Sequence, residues 1–147
     1  MRPEWVYALK DALPVEGKTD TYRWRHRGAA EGPHWPLRHF RPHEFEDPLT
    51  GVLVLHLPSV DRLERVRDRL AAPLLVTSGY RSPEYNRRVG GATGSMHLVG
   101  RAFDLKVRDS TRHMDIAQAA LAEGFTGFGF YKTFVHIDTG PWRSWVD

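Results

Sequence analysis

Hydrophobic residues recur along this chain with two different periods. Val60, Leu63, Val66 and Leu70 fall on one face at helical spacing, and the charges of Asp61-Arg62, Glu64-Arg65 and Arg67-Asp68-Arg69 fill the other. Ser59 stands before them as an N-cap, and Pro73 stops a helix expected to run to about Ala72. Leu74 to Thr77 reads as a short buried strand. Ser78 to Pro83 is a turn into a brief helix through Arg88, and Val89 to Ser95 is a glycine-rich loop. Ala102 to Val107 alternates as a strand does. Ser110 then caps a second helix with Met114, Ala117 and Leu121 inward and Gly124 just past its end. Phe128–Tyr131 and Phe134–Asp138 form a hairpin around Lys132-Thr133.

The resulting order, α-β-α-β-α-β-β, predicts an α+β domain with helices on one face of a small, mainly antiparallel sheet. Residues 1–39 break this pattern. Glu4 to Leu13 forms a short helix ended by Pro14, and the following stretch is rich in Gly, Pro, Arg and His with little periodicity. It reads as an N-terminal arm preceding a domain over 40–147, with Trp24, Trp35 and Phe40 packing on that domain.

Composition narrows the partners only slightly. At 147 residues one core is expected, and 41% hydrophobic with 27% charged residues is ordinary for a globular protein. The net charge of +3 and pI near 9.4 suit an anionic partner without choosing among nucleic acid, membrane surface and acidic wall polymer. The run YRWRHRG could touch nucleic acid, but it is short and no nucleic-acid motif accompanies it, so no nucleic-acid partner is expected. No apolar stretch approaches the ~20 residues of a membrane span, and the first residues lack the apolar segment of a signal peptide. Synthesis in the cytoplasm and a monomer are expected. With no cysteine, any transition metal must be held by His and carboxylate.

Three residues form a candidate metal set. His97 ends the glycine-rich loop, Asp104 lies seven residues on within a strand, and His136 comes from a later strand. Catalytic zinc sites take three ligands of this kind and keep a position for water. Alternation puts Phe134, His136 and Asp138 on one face and Val135 and Ile137 on the other. Spacing alone carries little, because the chain has eight His. His26, His34, His39, His43, His56 and His113 are expected to be structural or exposed.

The segments SGYRSPEYNRRVGGATGSMHLVGRAFDLKV and GFGFYKTFVHIDTGPWRSW carry a more specific signal. They resemble the zinc D-alanyl-D-alanine carboxypeptidase and murein endopeptidase family, which shares its fold with the hedgehog signalling domain. Ser95, His97, Gly100, Ala102 and Asp104 stand at the places of its Ser-x-His-x-x-Gly-x-Ala-x-Asp pattern, followed by His136. Phe40, Glu44 and Phe45 match the segment upstream, so the resemblance covers roughly Phe40 to Trp145.

The resemblance implies zinc on His97, Asp104 and His136, and hydrolysis of D-amino-acid-containing bonds in peptidoglycan stem peptides. It implies that Arg81 faces the active site, where its planar fork can bind the scissile carbonyl or a terminal carboxylate and stabilise the oxyanion. Tyr80 and Ser95 join Arg81 as substrate-binding candidates, and bracing of the His97 loop is the other role open to Ser95. Many relatives carry an acidic residue or a His just before the last ligand, but here those positions are Thr133 and Phe134. Asp138 is the nearest substitute, as general base or as the acceptor that orients a ligand His, and both roles stay open. His113 and Glu84 are remoter candidates. An endopeptidase acting at the cell wall, of phage-lysin or virion-associated type, is favoured over a carboxypeptidase. The alternative is a zinc-stabilised, non-catalytic cell-wall-binding module.

Overall fold

The computed structural model describes residues 1–147. A single-turn helix α1 (Trp5–Ala8) leads to strands β1 (Leu13–Pro14) and β2 (Thr21–Trp24). After a long connection come β3 (Leu53–His56), helix α2 (Leu57–Leu70), β4 (Val76–Ser78) and helix α3 (Pro83–Arg88). A 3-10 turn (Met96–Val99) precedes β5 (Ala102–Lys106), helix α4 (His113–Ala122), the hairpin β6 (Gly127–Phe130) and β7 (Phe134–Asp138), and β8 (Arg143–Val146).

Five strands form one sheet in the order β4-β5-β7-β6-β8, antiparallel except for the β6–β8 pair. Phe103, Leu105, Val135 and Ile137 point to one face and are fully buried or nearly so; α4 packs there, against both β7 and α2. The expected α+β architecture, with helices on one side of a small, mainly antiparallel sheet, is the one observed. The opposite face carries Asp104, His136 and Asp138.

Several local expectations are corrected. Helix α2 starts at Leu57, not after Ser59, because Pro58 is tolerated in a first turn and His56 takes the extended N-cap conformation. Ser59 is instead buried, with its hydroxyl between His56 Nδ1 (2.6 Å) and Thr139 Oγ1 (2.7 Å). Helix α4 starts after Arg112, whose N–H donates to Asp115 (3.1 Å), and not after Ser110. Its buried side is Ile116, Ala117, Ala119 and Ala120. Met114 and Leu121 are exposed, since the small alanines let α4 approach α2 closely and turn the larger side chains out. The β4 strand is shorter than expected and lies at the sheet edge, so Leu75 and Thr77 are exposed.

The N-terminal segment differs most. Helix α1 spans only four residues, and β1, β2 and β3 form a second, antiparallel sheet. Trp5, Trp24, Trp35 and Leu37 are buried in the same 25-residue core as Phe40, Phe45 and Leu63. Trp24, Trp35 and Phe40 pack as expected. The three tryptophans interlock edge to face, with Trp35 5.3 Å from Trp5 and 6.4 Å from Trp24.

Candidate functional site

Register across the sheet brings the site together. Ser78, Asp104, His136, Gly129 and Trp145 form one cross-strand row, each paired with the next. An irregularity between Val76 and Ser78 lets Val76 pair with core-facing Leu105 while Ser78 pairs with Asp104. A second row runs Ala102, Asp138, Gly127, Arg143. The glycines of β6 make room for it. A Cβ on Gly129 would lie 2.5 Å from the Trp145 ring, and one on Gly127 would strike Asp138 and Arg143.

His97 arrives from the 3-10 turn above this face. Ser95 Oγ accepts the His97 N–H (3.2 Å) and caps the turn. Gly100 ends it at φ +70°, where a Cβ would lie 2.4 Å from the Val54 carbonyl oxygen; only glycine fits both the left-handed backbone and that approach. His97, Asp104 and His136 are buried, and one ligand atom from each lies within 4.8 Å of the others. They are the one group of three or more His, Asp or Glu side chains placed to hold a metal ion.

Hydrogen bonding fixes what these atoms offer. His97 Nδ1 faces the Gly79 carbonyl (2.7 Å), which can only accept, so this nitrogen carries the proton and Nε2 presents a lone pair 3.1 Å from Asp104 Oδ1. His136 Nε2 faces the Asp138 carboxylate (2.6 Å), so its Nδ1 presents a lone pair 3.0 Å from the same Asp104 oxygen. With both rings neutral, two imine lone pairs and a carboxylate oxygen thus converge on one point. Such a donor set repels itself until a cation sits among it, and it fits a divalent metal of the zinc type.

Burial would push the Asp104 carboxyl up, but the His136 and His97 rings beside it outweigh that and hold the group well below the usual carboxylate range. Burial pushes the His97 imidazole down and keeps it neutral. Burial acts the same way on His136, but Asp104 and Asp138 reverse it and raise that ring above its ordinary value.

Arg81 donates to Ser78 Oγ (3.1 Å), Asn86 Oδ1 (3.4 Å) and Asp104 Oδ2 (3.1 Å), and it lines the cavity over the metal set. Asp138 is fully enclosed. Its carboxylate receives four hydrogen bonds, from His136 Nε2, from Arg143 twice, and from the Gly140 N–H. Burial alone would raise its pKa, but His136 and Arg143 drive it far down. Ser95 lines the cavity; Tyr80 does not. The Tyr80 ring is buried beside Arg23 and Asp47, away from the cavity, and burial pushes its hydroxyl up. His113 is spent on the Tyr131 carbonyl (2.6 Å) and Glu84 on Arg88 (3.0 Å), both outside the cavity lining.

An aromatic wall that sequence reasoning missed closes the other side. Trp145 lies 5.1 Å from the His136 ring under the Arg143 guanidinium, and its indole N–H donates to the Tyr131 hydroxyl (2.9 Å). Tyr131 in turn stacks on Phe134 at 4.3 Å. The signal was the alternation GFGF beside PWRSW: two glycines on one strand face call for large neighbours. The whole cavity is about 760 Å³.

Comparison with known proteins bears on this geometry. The chain is 37% identical over 94 residues to the peptidoglycan L,D-endopeptidase MepK of Escherichia coli (strain K12), covering 58% of this chain and 51% of that protein. It is 37% identical over 78 residues to the zinc D-Ala-D-Ala carboxypeptidase of Streptomyces albus G, covering 50% of this chain and 30% of that one. The chain spans about half the length, or less, of these curated relatives. The pattern of the family described as Peptidase M15 matches residues 42–138, from the start of the first 3-10 turn (Pro42–Glu44) to Asp138 and including all three metal-set residues. The chain therefore belongs to the peptidase M15 family.

Proposed function

We propose that this protein is a zinc peptidase that hydrolyses D-amino-acid-containing bonds in the stem peptides of bacterial peptidoglycan. The observation that carries this reading is the convergence of the His97, Asp104 and His136 acceptors on one point at the floor of an open cavity. The names of both relatives, a peptidoglycan endopeptidase and a zinc carboxypeptidase, support the substrate and the metal. Zinc in such a site supplies a Lewis acid for the carbonyl and an acidified water.

The chain's own residues do the rest. Arg81 keeps N–H groups beyond those spent on Ser78, Asn86 and Asp104, and these can bind the carbonyl oxygen as charge develops on it. Asp138 orients His136; with every lone pair occupied and no exposed surface it is a poor base, and Arg143 holds it in place. Ser95 positions His97 through the turn it caps. The Tyr131 hydroxyl accepts from Trp145 and so has its own proton free for substrate. The open cavity with its glycine-rich rim favours an endopeptidase over a carboxypeptidase, and we take it to act as a monomer at the cell wall, released there by a phage or carried on its virion.

The test is digestion of purified peptidoglycan by the zinc-loaded protein, with mass analysis of the products. New amino termini are expected, abolished by chelator and by His97→Ala. Tight wall binding with no product would instead mark a non-catalytic wall-binding module.

A further inference from the structure

A second depression, of about 290 Å³, adjoins the candidate active site. Met96 lines both, resting on Gly140, where a Cβ would lie 2.9 Å from its sulfur. The far wall comes from the segment ahead of the family match: Gly17, Lys18 and Thr19 of the β1–β2 turn. The floor comes from His56 and Arg101. None of the lining residues is a carboxylate, while three of them are basic.

Hydrogen bonds join the floor into one chain. Arg101 can only donate, and its Nε–H goes to Thr139 Oγ1 (2.9 Å). Thr139 Oγ1 in turn contacts Ser59 Oγ (2.7 Å), and Ser59 Oγ contacts His56 Nδ1 (2.6 Å). His56 Nε2 has no hydrogen-bond partner in the protein. Arg101 uses one further N–H on the Thr139 carbonyl (2.7 Å) and keeps others unpaired. Lys18 is exposed and makes no ion pair. Arg101 and Arg62 also act on His56 against the single opposing charge of Asp20.

From this we infer that the depression is a subsite for an anionic oxygen group: a carboxylate on the part of a stem peptide that extends past Met96 from the cleaved bond. The ligand class follows from a basic lining that holds no carboxylate and keeps Arg101 N–H groups unpaired, and the source from the shared Met96 rim. The inference rests on the wall-peptidase reading for that source. It gives the N-terminal segment a place in substrate selection.

Two measurements test it. Lys18→Glu should raise KM for a cross-linked peptidoglycan dimer by about three- to tenfold, more at low salt than at high. Lys10→Glu, the same charge change at an exposed residue outside the depression, should not. Equal KM values for the two variants would overturn the subsite. Separately, amide shifts of the zinc-loaded protein are followed by NMR during titration. A stem tetrapeptide with free carboxylates should move Gly17, Lys18, Thr19 and Arg101, and its carboxamide counterpart should not. Equal responses to both peptides, or a response to glycerol phosphate in place of the stem peptide, would reject the assignment. Carboxylate-dependent shifts without hydrolysis would keep the subsite and remove the peptidase reading; hydrolysis without those shifts would do the reverse.

Discussion

Whether His136 presents a lone pair or a proton at Nδ1 is decided by the carboxylate on its other side. Asp138→Asn keeps the shape but offers His136 a weaker acceptor and breaks the charge pair with Arg143. We expect zinc affinity to fall about 10- to 100-fold, measured by competition with a chromophoric chelator. Loss of rate with zinc affinity intact would make Asp138 the base instead. Arg81→Ala should retain zinc and lower kcat by about 10²–10³; unchanged turnover would leave Arg81 with only its bond to Asp104. His56 tests a different balance. Burial, helped by Arg101, lowers its pKa from 6.5 to about 4. The unfolded chain then takes up a proton between those values that the folded one refuses. Stability from this source is complete above about pH 6.5 and is lost as pH falls toward 4. In chelated protein, the urea midpoint should drop from pH 7 to pH 4.5 less in His56→Gln than in the parent. The metal set was legible chiefly through the family pattern that His97, Asp104 and His136 fill; strand alternation added only that His136 and Asp138 share a face. Trp145 and Arg143 were not, because they come from β8, whose place beside β6 is a tertiary fact.

Elements built on strong periodicity were the readable ones: α2, α4, β5 and the β6–β7 hairpin occupy the expected stretches. Their ends were less so. Buried Ser59 and exposed Met114 follow from how α2 and α4 meet other elements, which no local pattern states. The end of α2 offers a direct check. Ala71 caps it in the left-handed conformation, φ 52°, at an exposed position where glycine would carry no Cβ penalty. Ala71→Gly should therefore stabilise the fold by about 0.5–1 kcal/mol, seen as a rise in Tm of roughly 1–4 °C. A fall in Tm would mean that the entropy glycine adds to the unfolded chain outweighs the relief of that backbone.

For the molecule as a whole, the sequence suggested an arm beside a domain, because residues 15–39 lack a period. Apart from Trp24 on the short strand β2, their apolar residues are spaced to fit a surface and not a helix or strand. Trp5 donates its indole N–H to Asp61 (3.0 Å), and Trp35 donates to the Phe40 carbonyl (2.7 Å). The N–H groups of Arg38 and His39 both end on Glu64 (2.9 Å each). Asp61 and Glu64 are among the buried charges of α2, so the segment satisfies acids that the remainder would leave uncompensated. Removing a buried tryptophan costs about 3–5 kcal/mol, and three are involved, against a total stability of about 5–15 kcal/mol. Deleting residues 1–39 should therefore abolish cooperative unfolding and leave an aggregating or dye-binding chain, even though the family match begins at residue 42. The measurement is a thermal scan of the deletion beside the full chain, each with and without zinc. A sharp, reversible transition in the deletion would show that 40–147 carries its own core. In that case the tryptophans would be a docked accessory, and the shared core seen here would contribute little to holding His97, Asp104 and His136 together.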